Sequence, residues 1–187
     1  MRLHFAALFL CLALRCFSTT QSAAVPKQFY QFFTFDTHWG ACFAHKTANK
    51  DDVFPGSENP SVCRSMISDD PGCYGPEGTS SKEGRPKPGA TTPYPSFGFE
   101  CYDLDCDEGY HCERGAYGGG YCCSTEFQQM QNQGVAEKCP NGSKAEGFYD
   151  KLNKQFHTFV AKKCGDLLCG KGFKCVQVNK YFAKCCQ

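Results

Sequence analysis

Apolar residues occur along this chain as one short block and then as brief alternations, with no long amphipathic run. The block, Phe5 to Leu14, follows Arg2 and gives way to a small and polar stretch ending in Ser22-Ala23-Ala24. It is too short to cross a bilayer, and its order is that of a secretory leader with a cleavage site, so residues 1–24 are read as a signal peptide. In the aromatic stretch that starts at Phe29, the residues Phe33, Phe35 and Trp39 fit one face of a strand. Val176-Gln177-Val178 alternates, Asn179-Lys180 supplies a turn, and Tyr181-Phe182-Ala183 returns, which predicts a hairpin. Phe156 to Val160 reads as a further strand, and Gly115 with Gly118-Gly119-Gly120 as a second hairpin tip. Residues 78–96 are rich in Gly, Pro, Ser and Thr without apolar periodicity, and are expected to be solvated, extended and mobile. Residues 124–138 are Gln-rich and fit either a short helix or a plain spacer. The expectation is a small, mostly β fold with short hairpins.

Composition narrows how such a fold is held. Beyond residue 24 there are four Leu, one Ile and seven Val, against 24 aromatic residues. So few aliphatic side chains cannot fill a large interior, and the chain needs cross-links and small aromatic clusters instead. Fourteen cysteines remain once Cys11 and Cys16 leave with the leader, an even number, as full pairing in an oxidising compartment requires.

The cysteines repeat. Cys101, Cys106, Cys112, Cys122 and Cys123 follow C-x4-C-x5-C-x9-C-C, and Cys164, Cys169, Cys175, Cys185 and Cys186 reproduce that spacing at a constant offset of 63 residues. Asp103, Leu104 and Gly109 match Asp166, Leu167 and Gly172 at the same offset, and Tyr110 aligns with Phe173. A leading cysteine followed by turn residues precedes each block, Cys73 and Cys139. Two tandem six-cysteine modules result, 73–123 (with the flexible insertion 78–96) and 139–187, joined by the linker 124–138 and preceded by an N-terminal aromatic-rich segment, 25–72, whose Cys42 and Cys63 form the natural extra pair. Six cysteines allow fifteen pairings, and excluding a bond within the adjacent doublet leaves twelve.

The residues Cys139-Pro140-Asn141-Gly142, Cys169 to Cys175 with Gly172-Phe173, and the terminal Cys185-Cys186 resemble the lustrin-type cysteine-rich repeat. Such repeats occur in secreted invertebrate proteins, including many from nematodes, and in mollusc shell matrix, often beside Kunitz-type inhibitor domains. The resemblance implies a secreted, extracellular setting and a disulfide-stapled architecture for about half of the mature chain. It implies no particular biochemical activity, and no Kunitz cysteine spacing is present.

Charge and motifs exclude more than they assign. The chain carries 20 Lys+Arg against 19 Asp+Glu, without the clustered positive charge that a nucleic acid partner selects. Paired C-x2-C knuckles are missing and His38, His45, His111 and His157 are scattered singly, so no metal or other cofactor is expected. There is no G-x-S-x-G elbow, and the thiols are expected to be oxidised, which leaves nucleophilic catalysis without an anchor. Asp103 and Asp105, with Asp107 and Glu108, read as a solvated acidic loop before they read as a carboxylate pair or a calcium site. Residues 101–123 sum to −4 and residues 164–186 to +3, an opposition that suggests two distinct docking faces. Asn141-Gly142-Ser143 is an N-glycosylation acceptor in a turn context.

The expected function is therefore non-catalytic: a secreted binding or matrix protein whose partner is an extracellular protein or matrix component, without a membrane span. Two other readings compete with it. In one, a rigid loop around Arg114 or Lys180 presents a basic residue to a trypsin-like protease. In the other, the chain is a host-defence effector, although a mature charge near −1 disfavours membrane disruption.

Overall fold

The computed structural model describes residues 28–53, 55–66, 72–76, 81–92, 98–115 and 118–187; the expected leader, 1–24, lies outside them. The aromatic segment forms a hairpin, β1 (Tyr30–Asp36) against β2 (Ala41–Thr47), paired antiparallel from Tyr30↔Thr47 to Asp36↔Ala41. Alternation sends Phe33 and Phe35 to one face with Cys42 and Ala44, and Ala41 and Phe43 to the other. A short helix, α1 (Pro60–Arg64), begins at Asn59, whose side chain accepts from the Ser61 N–H. It carries Cys63 back onto Cys42.

The N-terminal hairpin continues into a five-stranded sheet with β10 (Val160–Ala161), β12 (Ala183–Cys186) and β11 (Lys174–Gln177), in the order β1-β2-β10-β12-β11. Both faces of this sheet are covered, by different chemistry. One face holds Phe33, Ala44, Ala161, Leu167, Ala183 and Cys185, sealed by the cystines 42–63, 164–175 and 169–185. The other holds Phe43, Val160 and Phe182 under Phe127 and Trp39. Sulfur bridges cover one side and aromatic rings the other, which is how a chain so poor in Leu and Ile still closes a core.

Phe127 comes from the Gln-rich linker, which is a helix, α2 (Thr125–Val135). Ser124 accepts from the Phe127 N–H at 3.2 Å and so caps its first turn. The helix lies so close to the sheet that a Cβ on Gly134 would meet the Phe182 ring at 2.6 Å. Alanine in place of an interior helix glycine normally stabilises by roughly 0.5–1 kcal/mol. At this position the sign is expected to reverse, because Phe182 is fully buried and cannot withdraw. Gly134→Ala should lower the urea midpoint, and an unchanged or raised midpoint would show that the helix is free to lift away.

The first cysteine set lies in smaller sheets. β6 (Tyr110–Arg114) and β7 (Gly120–Ser124) pair as a hairpin, with β3 (Ser81–Lys82) on the free edge of β7 and β4 (Arg85–Pro86) against β5 (Leu104–Asp105). This corrects the expectation for 78–96. Its described part, 81–92, supplies two strands, because the outer edges of β7 and β5 carry backbone groups that need partners. The remainder of that insertion lies outside the described residues.

The two cysteine sets close alike. Cys73–Cys123, Cys101–Cys112 and Cys106–Cys122 pair in the same order as Cys139–Cys186, Cys164–Cys175 and Cys169–Cys185, with separations of 11 and 16 residues in the two inner bridges of both. The matched non-cysteine residues have matched roles. Asp103 and Asp166 sit in 3-10 turns that start at Cys101 and Cys164, and Leu104 and Leu167 follow as buried residues. Gly109 (φ +83°) and Gly172 (φ +89°) adopt the left-handed backbone just before each hairpin.

Two further expectations change. Trp39 does not share a face with Phe33 and Phe35; it lies in the turn after β1 and packs edge-on to Phe43, Phe127, Tyr181 and Phe182. The stretch 156–160 is not one strand. It divides at Phe159, whose N–H donates to the Glu146 carbonyl, and the chain passes there from a separate hairpin into the main sheet.

Candidate functional site

That separate hairpin is β8 (Gly147–Asp150) with β9 (Gln155–Thr158). Asp150 shapes its tip by accepting from the Leu152 N–H at 2.9 Å and from Asn153 Nδ2 at 2.8 Å, which holds its carboxyl below the usual range. Lys154 then takes a left-handed backbone (φ +53°), and Leu152 stands 93% exposed at the end of the loop. Because the hairpin is not hydrogen-bonded side by side with the main sheet, a space is left under it. This cleft encloses about 550 Å³ between the hairpin, α1, the start of β2 and the C-terminal half of α2.

The floor of the cleft is aromatic. Phe148 stacks on Phe159 at 6.0 Å between centroids, and Phe159 meets Phe33 at 5.0 Å with the planes tilted by 43°. The polar lining includes Arg64 at the end of α1, Lys154 and Glu137, and His157, which faces Phe148 across the β8–β9 pair. His157 Nε2 is buried and has no hydrogen-bond partner among the described residues. A buried polar nitrogen left in that state costs about 1–3 kcal/mol. Burial first, and then the charge of Arg64, pushes the His157 imidazole below its ordinary value, against the opposing pull of Asp150.

A pH dependence follows from this direction. Below the ordinary imidazole value of 6.5, the unfolded chain takes up a proton that folded His157 refuses. Stability is therefore full above that value and falls as pH drops through it, until the folded imidazole also protonates. His45 shifts the same way, chiefly through burial. Urea midpoints at about pH 7.5 and about pH 5.5, a window above the carboxylate range, should be lower at the acid value, and His157→Phe should lessen the difference. Equal differences in wild type and variant would refute the assignment to His157.

The residues singled out from sequence fall elsewhere. Arg114 ends β6 with its guanidinium 3.3 Å from the largely buried Glu100 carboxylate. Lys180 is in the tip between β11 and β12, where its ammonium donates to Glu126 at 3.0 Å and lies over the Tyr181 ring. Asn141 is exposed in a turn, with its Oδ1 accepting from the N–H and hydroxyl of Ser143. In the acidic loop, Asp105 pairs with Lys87 and Asp107 with Arg85, so the insertion's cations compensate part of the −4. Glu113 accepts from Gln128 and contacts His111, which holds its carboxyl low.

The second set's positive face is likewise reduced. Lys184 is fully buried, and its ammonium donates at 2.9 Å to the carbonyls of Gln133, Ala136 and Lys138. It closes the C-terminus of α2 and adds nothing to the surface. The opposed charges of the two sets are thus smaller at the surface than the sums read from sequence, with Lys171 and Lys174 left exposed on the second.

Among the described residues one group of metal-capable atoms is brought together, Glu146 with Cys169 and Cys185. Its two sulfurs are bonded to each other, and the carboxylate accepts from the Gly170 N–H. Such sulfurs are not thiolates and do not act as zinc ligands.

Comparison with protein-family models, with curated proteins and with solved structures finds no match. The cleft was missed in the sequence, although its hairpin left a trace there: Phe148-Tyr149 and Phe156-His157 flank the turn formers Asp150 and Asn153. Arg64 left none, since its place beside His157 depends on the Cys42–Cys63 bridge.

Proposed function

We propose that the chain is a secreted, non-catalytic binding or matrix protein of the extracellular space, built from two six-cysteine modules, 73–123 and 139–187, behind an aromatic segment that docks on the second. The observation that carries this reading is the shared order of bridges, first to sixth, second to fourth and third to fifth, in both cysteine sets. Bridges of this density belong to oxidising compartments, which agrees with the leader read in 1–24 and with the lustrin-type resemblance. No helix among the described residues is long and apolar enough to cross a membrane. The partner is an extracellular protein or matrix component, and Asn141 carries an N-glycan.

The protease-inhibitor reading has less support. An inhibitory Arg or Lys must place a free cation in the protease pocket, whereas Arg114 and Lys180 are both held by carboxylates of this chain. Expression of the full chain in secreting cells tests the choice. The medium should contain a leader-free protein with no free thiols and with a glycan that Ser143→Ala removes, and titration against trypsin-like proteases should show no stoichiometric inhibition. Retention inside the cell with reactive thiols would overturn the extracellular reading, and stoichiometric inhibition would replace it with the other.

A further inference from the structure

The cleft beneath the β8–β9 hairpin has a combination of features that core packing does not explain. Its volume, about 550 Å³, lies in the range of small-molecule sites, and its lining includes a row of three rings in contact. Arg64 lines it, and this guanidinium makes no ion pair or hydrogen bond among the described residues. His157 Nε2 is buried there without a partner. A buried polar nitrogen without a partner is what a packed core avoids, and the partly exposed Arg64 guanidinium lies in the same cleft, available to a ligand.

We propose that this cleft binds an apolar monocarboxylate, its hydrocarbon or aryl part on Phe148 and Phe159 and its carboxylate between Arg64 and His157 Nε2. An imidazole kept neutral by its surroundings carries one N–H. With the proton on Nε2 it donates to a carboxylate oxygen, while Arg64 supplies the charge and a planar pair of donors. Arg64 and Lys154 against Glu137 leave the lining one positive charge beside the neutral His157 donor, which matches a single negative charge. A phosphate ester brings a second negative charge, which Glu137 on the rim repels. A neutral alcohol of the same shape leaves Arg64 without its counter-ion. The proposal does not depend on the macromolecular partner named above, and either can fail alone.

The test uses the full-length secreted protein with its bridges intact. A saturated fatty carboxylate and an aryl carboxylate are titrated in parallel with the alcohols of the same skeleton, and the His157 ring is followed by NMR. At least one acid should shift the His157 signal saturably and bind at least tenfold more tightly than its alcohol, and the pair of acids reports which skeleton the rings prefer. Arg64→Gln, which replaces a partly exposed side chain, should remove that preference and leave the unfolding midpoint unchanged. Acid and alcohol binding equally, an acid preference that survives Arg64→Gln, or no saturable shift of His157 would each overturn the proposal. The last is the behaviour of a cleft that holds only water.

Discussion

Lys184→Met is expected to destabilise the folded chain by about 3 kcal/mol or more, a large share of the roughly 5–15 kcal/mol that holds a domain of this size. An ammonium has three donors, and Lys184 places one on each of three carbonyls at the end of α2. The Gln133 and Ala136 carbonyls lie at the negative end of the helix without helical partners, and Lys138 follows just beyond it, so a cation there satisfies both the hydrogen-bonding and the dipole requirement. Burial pushes the lysine below its ordinary pKa. Methionine preserves most of the volume and removes the donors. Of the three carbonyls only Ala136 keeps a known partner, the Thr158 hydroxyl at 3.1 Å. Replacing a buried charge by an apolar residue is often harmless when its partners leave with it, but here they are backbone groups and stay. Urea unfolding with the bridges intact measures the loss. A difference under about 0.5 kcal/mol, the level of an ordinary surface substitution, would mean that the helix end reaches water by another route.

Full reduction should be more severe and abolish the compact state. A bridge contributes typically about 2–4 kcal/mol, so seven of them outweigh any plausible net stability. The aliphatic interior cannot compensate, since Leu104, Val160 and Leu167 are its only buried Leu, Ile or Val among the described residues. Moreover, cystines form one wall of the main core, so reduction removes packing as well as chain constraint. Reductant without denaturant should expose 14 thiols to alkylation and eliminate the near-ultraviolet dichroism of the Trp39 cluster. Persistence of that dichroism in a fully alkylated chain would show that the aromatic face suffices alone.

These two effects differ in how far they could be read in advance. Dependence on the bridges is visible in the counts of cysteine, leucine and isoleucine. The role of Lys184 is not. It follows Ala183 and precedes Cys185 in a strand that looks half-exposed, and its ammonium finds α2 only because the linker folds back across the sheet. Separation in sequence also hid the cleft, which Arg64 and His157 both line from 93 positions apart. Trp39 was misplaced for a related reason: strand alternation ends with the strand, and the turn sends this ring to the opposite face.

What the amino-acid sequence determined by itself was local and covalent: the spacing of cysteines at a 63-residue offset, the glycines that open each hairpin, and the need for cross-links where aliphatic residues are scarce. Tertiary structure alone decided which of twelve pairings both sets adopt, that β2 lies beside β10, and that Phe127 and Lys184 bind the linker to the second set. A period-two pattern records that one side of a strand is buried, but the neighbouring strand is selected by packing in three dimensions, which leaves no mark at fixed spacing along the chain.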